Sequence, residues 1–213
     1  MKEKLEDMDL YFITDSRLTR KTILEDVKSA IRAGVKIIQY REKGESTGGM
    51  IKEAKEIGEL CKKNNVLFII NDRVDIVLAV DADGVHLGNK DMTYSIARKI
   101  LGSKKIIGLT VHNIREAVEA ERLGADYIGV SPIFETKTKL DAGRPAGLKL
   151  IKDIKKAIKI PFVAIGGINE NNLGSVIEAG ARSIAAILAI VTKDNVEKEC
   201  KKFREVIIND SIK

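Results

Sequence analysis

The sequence predicts an α/β fold, a single (β/α)8 barrel of the TIM type, and three observations carry that prediction. Short β-rich apolar runs alternate with longer helical patterns along the whole chain, and there are eight such runs. The runs are too apolar to expose either face, as strands of a parallel sheet covered on both sides must be. A helix-to-strand joint also recurs, as Ala33-Gly34-Val35, Leu123-Gly124-Ala125 and Ala179-Gly180-Ala181. Glycine there suits the left-handed residue that ends a helix and turns the chain into the next strand.

The first predicted strand covers residues 10–14 and is followed by an amphipathic stretch at 23–33. The second, 35–39, leads through a helical pattern at 50–63 to the third, 67–70. The fourth and fifth are 84–87 and 106–110, then a helix at 114–123 and the sixth strand at 127–130. A helix at 148–157 precedes the seventh strand at 162–165, the eighth spans 183–187, and a terminal helix runs from about 196 to 208. A chain of 213 residues accommodates eight such units as one domain, residues 1–213. The rival architecture, a doubly wound open sheet, normally shows a glycine-rich first turn, whereas Thr14 is followed by Asp15-Ser16-Arg17.

Composition narrows the function classes. No run approaches the roughly 20 apolar residues that span a bilayer, and the charged first ten residues do not resemble a signal peptide, so a soluble, cytoplasmic protein without a membrane partner is expected. Cys61 and Cys200 lie far apart without a CxxC or a neighbouring His, which points to packing rather than a disulfide or zinc site. Lys plus Arg exceed Asp plus Glu by 37 to 31, but Lys149, Lys152, Lys155, Lys156 and Lys159 read as one solvated helix face. With no Trp, five Phe and four Tyr, the aromatic interleaving of a nucleic-acid surface is missing, and no nucleic-acid partner is expected. Homo-oligomerisation stays open, because an apolar patch on outer helices reads the same as ordinary helix packing.

In a barrel the C-terminal strand ends and the loops after them form the active face. The second run delivers Gln39, the only glutamine, with Tyr40, Arg41, Glu42 and Lys43; the third ends in Asn71 and Asp72, and the fifth in Thr110 and then His112. Asp91 follows the fourth, Thr136-Lys137-Thr138-Lys139 follow the sixth, and Gly166-Gly167 follow the seventh. The glycine pair lets backbone N–H groups approach a phosphate, although a tight turn alone would also use it. Arg41, Lys43 and Lys139 beside Asp72 and Asp91 suit a diphosphate bridged by Mg2+, a hard ion that takes a few carboxylates plus phosphate oxygens. Each Asp has a plainer alternative: Asp72 pairs with Arg73 or caps the next helix, and Asp91 caps a helix near Thr93. His86, inside a strand pattern, reads as a core or supporting residue. No Ser-His-Asp or Cys-His arrangement stands out.

Taken in order, Tyr11-Phe12-Ile13-Thr14-Asp15, Gln39-Tyr40-Arg41-Glu42-Lys43, Asn71-Asp72, His86-Leu87-Gly88 with Asp91, Thr136-Lys137-Thr138-Lys139 and Ile165-Gly166-Gly167-Ile168 resemble the thiamine-phosphate synthase family over nearly the whole chain. The resemblance implies a transferase that joins 4-amino-2-methyl-5-(diphosphooxymethyl)pyrimidine to 4-methyl-5-(2-phosphoethyl)thiazole, or to its carboxylated precursor. The products are thiamine phosphate and pyrophosphate, and the cofactor is Mg2+. It implies a pyrimidine diphosphate site at Gln39, Tyr40, Arg41, Glu42, Lys43, Asn71, Thr110 and Lys139. Asp72 and Asp91 match its metal ligands, and Thr136, Lys137, Thr138 and Gly167 its thiazole phosphate site. In the family pyrophosphate leaves before the thiazole nitrogen attacks, and the resemblance therefore implies Arg41, Lys43 and Lys139 as the catalytic groups.

Three positions depart from the family pattern. Thr110 stands for the usual Ser and keeps a hydroxyl, and Asn89 stands where Gln is common. In the last strand segment, Ile187 and Leu188 offer backbone N–H groups but no Ser hydroxyl to the thiazole phosphate. Two rival readings remain: a related thiazole tautomerase, which His112 would serve, and a non-catalytic sensor of a thiamine precursor.

Overall fold

A computed structural model describes residues 2–136 and 143–210, the last of these without its side chain. Eight strands form one parallel sheet in the order of the chain: β1 (Tyr11–Ile13), β2 (Ile37–Tyr40), β3 (Leu67–Asn71), β4 (Gly84–Leu87), β5 (Ile106–Val111), β6 (Tyr127–Val130), β7 (Phe162–Ile165) and β8 (Ser183–Ala185). The last strand meets the first through a parallel bridge between Leu10 and Ile184, with the Ile184 N–H donating to the Asp9 carbonyl over 2.9 Å. Consecutive order with first against last is a barrel, and it rules out the doubly wound alternative.

The described helices are α1 (Ile23–Arg32), α2 (Thr47–Lys63), α3 (Val74–Val80), α4 (Tyr94–Leu101), α5 (Ile114–Leu123), α6 (Gly147–Ala157), α7 (Leu173–Glu178), α8 (Ile187–Val191) and α9 (Val196–Asp210), with a short 3-10 turn at Lys2–Leu5 before β1. The start of α1 shows how local chemistry sets a boundary. Thr22 accepts from the Glu25 N–H while the Glu25 carboxylate accepts from the Thr22 N–H, a reciprocal cap. One expectation needs correcting: the eighth strand was expected through Ile187, but it ends at Ala185 and Ile187 opens α8. A short, continuous apolar run fits a buried strand and a buried helix equally well.

Strand alternation sorts the core into two layers. Tyr11, Ile13, Ile37, Leu67, Ile69, Ile106, Tyr127, Val163 and Ala185 fill the barrel interior, whereas Phe12, Ile38, Tyr40, Phe68, Ile70, Val85, Ile107 and Ile128 pack outward against the helices. Both cysteines are buried, free and in that outer layer, as packing residues should be, and burial pushes the Cys61 thiol up to about 12. The closure is clamped from outside. Arg204 on α9 donates to the Asp9 carboxylate from Nε at 2.9 Å and Nη2 at 2.7 Å, and from Nη1 to the Ala33 carbonyl at 2.6 Å. Among the described residues no helix is long and apolar enough to cross a membrane.

Candidate active site

A cavity of about 540 Å³ opens at the C-terminal ends of the strands. Its floor is the upper interior of the barrel. There the Gln39 Nε2 donates to the Tyr11 hydroxyl over 3.0 Å, and the Tyr11 and Tyr127 hydroxyls lie 2.7 Å apart. His86 continues the line, with Nδ1 3.0 Å from the Tyr127 hydroxyl and Nε2 2.9 Å from the Thr110 hydroxyl. Five side chains from five strands are thus joined in one row. Glycines on neighbouring strands make the room: a Cβ on Gly108 would lie 2.1 Å from the Tyr127 ring, and one on Gly129 would lie 3.0 Å from the His86 ring. Burial raises the pKa of Tyr11 and of Tyr127, so both phenols keep their protons at neutral pH.

The rim is charged. Asp15, directly after β1 and only 1% exposed, bonds the Nη1 of Arg41, and accepts from Arg17 through Nε at 3.2 Å and Nη2 at 3.0 Å. Burial alone would raise the Asp15 pKa, but hydrogen bonding from Arg17 and the charge of Arg41 carry it below the usual carboxylate range. Thr14 ties the same two strand ends together, since the Arg41 N–H donates to its hydroxyl over 2.9 Å. Lys43 pairs with Asp72, whose backbone is left-handed (φ 63°) and whose N–H donates to the His86 carbonyl over 2.9 Å. Burial opposes ionisation of Asp72, but hydrogen bonds from Lys43 and Asp91 hold its pKa low. In Asp91 burial and the facing Asp72 carboxylate both raise it. The two carboxylates therefore face one another, and Asp91 is further held by the Gly88 N–H at 2.8 Å.

Of the residues that sequence reasoning assigned to substrate binding, Gln39, Arg41, Asn71, Thr110, Thr136, Gly167, Ile187 and Leu188 line the cavity. Lys43, Asp72 and Asp91 are not among the lining residues: Lys43 and Asp72 pair with each other just past the ends of β2 and β3, and Asp91 lines a second pocket with Leu87, Gly88 and Asn89. The plainer alternatives for the two aspartates are not met: Arg73 pairs with Asp75, neither α3 nor α4 has a side-chain cap, and Asp91 serves the Gly88 turn. Two side chains expected at the pyrimidine site point elsewhere. Tyr40 faces the helices and donates to Glu53 over 2.8 Å, because it follows Gln39 on a strand and must face the other way. Glu42 turns back to accept from the Lys43 and Gly44 N–H groups at 2.7 and 2.6 Å, shaping its own loop. Lys137, Thr138 and Lys139 lie outside the described residues.

The glycine pair has a packing role of its own. Gly166 and Gly167 are left-handed (φ 104° and 65°), and a Cβ on them would lie 2.7 Å from Pro132 and 2.4 Å from the Glu135 carbonyl. They let the loop after β7 lie against the loop after β6, with the Phe134 N–H donating to the Gly166 carbonyl over 2.9 Å. Sequence reasoning gave no role to Asp15, Tyr11 or Tyr127. The available signals were a charged residue at a strand tip and the glycines facing Tyr127 and His86 from β5 and β6.

Comparison with known proteins bears on this arrangement directly. The family model for thiamine monophosphate synthase matches residues 10–190. A thiamine-phosphate synthase of Methanosarcina mazei is 56% identical over 203 residues, covering 95% of this chain and 84% of the relative. One from Methanosarcina barkeri is 52% identical, covering 95% and 92%. The solved structure of thiamine phosphate pyrophosphorylase from Pyrococcus furiosus superposes with a TM-score of 0.89 at 39% identity, covering 97% of this chain and 98% of that one. With a barrel matched over nearly its full length and a family model that spans all eight strands, the chain belongs to the thiamine monophosphate synthase family.

Proposed function

We propose that this enzyme condenses 4-amino-2-methyl-5-(diphosphooxymethyl)pyrimidine with 4-methyl-5-(2-phosphoethyl)thiazole, or its carboxylated precursor, releasing pyrophosphate and forming thiamine phosphate. The observation that carries this reading is a hydrogen-bonding floor, Gln39 and Thr110 with Asn71 beside them, in a cavity that Arg41 also lines, with the Lys43–Asp72 pair following at the ends of the same strands. A flat heteroaromatic ring with an amino group and ring nitrogens suits the floor, and a diphosphate suits the rim.

In the reaction the bond between the pyrimidine methylene and the diphosphate oxygen breaks, and its electron pair leaves with pyrophosphate. The aminopyrimidine delocalises the resulting cation until the thiazole nitrogen supplies the pair for the new C–N bond. The barrier is charge separation, so cations around the departing oxygen matter more than a proton-transfer pair. Arg41, oriented by buried Asp15, and Lys43 suit that role, and Lys139 joins them by its position in the family motif. Asp72 and Asp91 fit Mg2+: their carboxylates lie within hydrogen-bond reach of one another, and among the described residues no third His, Cys, Asp or Glu completes a protein-only cage, so diphosphate oxygens would supply the remaining ligands. When bound, the ion supplies positive charge to the leaving group. Thr136, Lys137, Thr138, Gly167, Ile187 and Leu188 are assigned to the thiazole phosphate.

The tautomerase reading loses its residue. His112 does not line the cavity, and its Nδ1 is held by the Ser131 carbonyl. A pyrophosphate-release assay with both substrates, with and without Mg2+, decides among the readings. Release that requires pyrimidine diphosphate, thiazole phosphate and metal together is expected; no release with all three present removes the synthase assignment and leaves a tautomerase or a sensor.

A further inference from the structure

The row of side chains on the cavity floor has a direction. Gln39 engages Tyr11 through Nε2, a group that can only donate, so the Tyr11 oxygen is an acceptor there. Tyr11 is 2% exposed and protonated, and its own proton needs a partner; among the described residues its other hydrogen-bond partner is the Tyr127 hydroxyl. Tyr127, 1% exposed, has then accepted from Tyr11 and passes its proton to His86 Nδ1. An imidazole that accepts at Nδ1 carries its proton on Nε2 and donates it to the Thr110 oxygen. The row ends with the Thr110 hydroxyl proton, which is left for the cavity. At its other end the amide of Gln39 is fixed by its Nε2 bond, which leaves Oε1 as the group offered to a ligand.

We infer that Tyr11, Tyr127 and His86 are positioning residues whose one-directional hydrogen-bond chain makes Gln39 present an acceptor and Thr110 a donor, so that the cavity selects a 4-aminopyrimidine over its 4-oxo counterpart. The inference rests on the pyrimidine diphosphate reading above. An exocyclic amine donates to Gln39 Oε1, and an unprotonated ring nitrogen accepts from Thr110. The 4-oxo ring carries a carbonyl in place of the amine and a proton on N3, the reverse polarity, and reversing Gln39 to meet it would require Tyr11, Tyr127, His86 and Thr110 to reverse their protons together. A buried site built for one polarity rejects the other strongly, because mismatched groups are left without partners. Neither tyrosine needs to touch the ligand for this to hold, since each acts through its neighbour.

Equilibrium binding of the two pyrimidine diphosphates, amino and oxo, measured by calorimetry with Mg2+ and without thiazole phosphate, tests the inference in wild type, Tyr11→Phe and Tyr127→Phe. Wild type should favour the amino compound by about 100-fold or more. Both variants should lose about tenfold or more of that preference while binding inorganic pyrophosphate within about twofold of wild type, since the rim is untouched. Tyr127→Phe keeps the ring that fills the space beside Gly108, so it decides the matter if Tyr11→Phe does not fold. An undiminished preference in Tyr127→Phe overturns the inference, whether or not its thermal midpoint falls, because that is the signature of a purely structural role. Wild type that binds both compounds equally also overturns it and leaves the synthase reading standing. Wild type that binds neither overturns both.

Discussion

On the floor of the cavity Gln39, Tyr11, Tyr127 and Thr110 carry no charge, and with His86 they spend their protons on one another; on the rim Arg41, Lys43, Asp15, Asp72 and Asp91 are ionisable groups paired across loops. The floor is built on strands and walled by glycines, so that moving one group disturbs the next. The rim lies a few residues further along, and part of it can exchange partners. Lys43 and Asp72 satisfy each other, but both are also what a metal-bound diphosphate would take up. Asp15 behaves differently from either: it sits at rim height with floor-like burial and fixes Arg41 in place. On the proposed reading, recognition falls where geometry is rigid and the charge chemistry where it is exchangeable, with Asp15 as the joint.

The comparison breaks most visibly at Asp72. Asp72→Ala should lower turnover by about 10²- to 10³-fold in a pyrophosphate-release assay at saturating Mg2+, and Lys139→Ala should act similarly by its motif position. A near-normal rate in Asp72→Ala would move the chemistry away from this carboxylate pair. Asp15→Asn should destabilise the fold by about 3 kcal/mol in urea titration, since Arg41 is left without its buried counter-ion. The pH dependence sharpens this. Asp15 has a folded pKa below its unfolded value of about 3.9, so its stabilisation is present above that pH and is lost as pH falls toward the lower folded value. The stability gap between wild type and Asp15→Asn should thus narrow from about pH 5 to pH 2. A gap that does not change with pH would mean that the carboxylate charge is not what Arg41 needs.

Gly108→Ala tests the rigidity of the floor. Its new methyl would meet the Tyr127 ring, and a loss of about 2 kcal/mol is expected from overpacking, read from thermal or urea unfolding. An unchanged midpoint would show that the floor can shift. The smallest effect belongs to the other end of the cavity. Leu188→Ser restores a hydroxyl at the start of α8 and should lower KM for the thiazole phosphate about threefold to tenfold, with KM for the pyrimidine diphosphate unchanged, as one added neutral hydrogen bond allows. A shift in the pyrimidine KM instead would place Leu188 at the wrong subsite.

Much of the barrel was legible because strands covered on both faces must be apolar and helices must punctuate them, which is why residues 67–70 and 84–87 could be read directly. The stretch 183–191 resisted because its apolar residues continue unbroken from β8 into α8. Lining residues such as Gln39 and Thr110 were legible as polar groups ending apolar runs. Tyr40 was misplaced by treating five adjacent residues as one unit when a strand turns alternate side chains to opposite faces. The Tyr11–Tyr127 contact joins positions 116 residues apart, and local pattern says nothing of such a pair. Asp15 was visible as a charge at a strand tip with Arg17 two residues on, but its second partner, Arg41, comes from the fold.

The clamp of Arg204 on Asp9 has a consequence for how the protein is made. Tyr11 and Gln39 leave the ribosome early, yet the seam between the first and last strands is sealed by α9, which follows all eight strands in the chain. Until α9 is free of the ribosome, the barrel lacks its outer lock and the floor row stands beside an open edge. Synthesis from the N-terminus thus delays the locking of the floor until α9 has followed the last strand out.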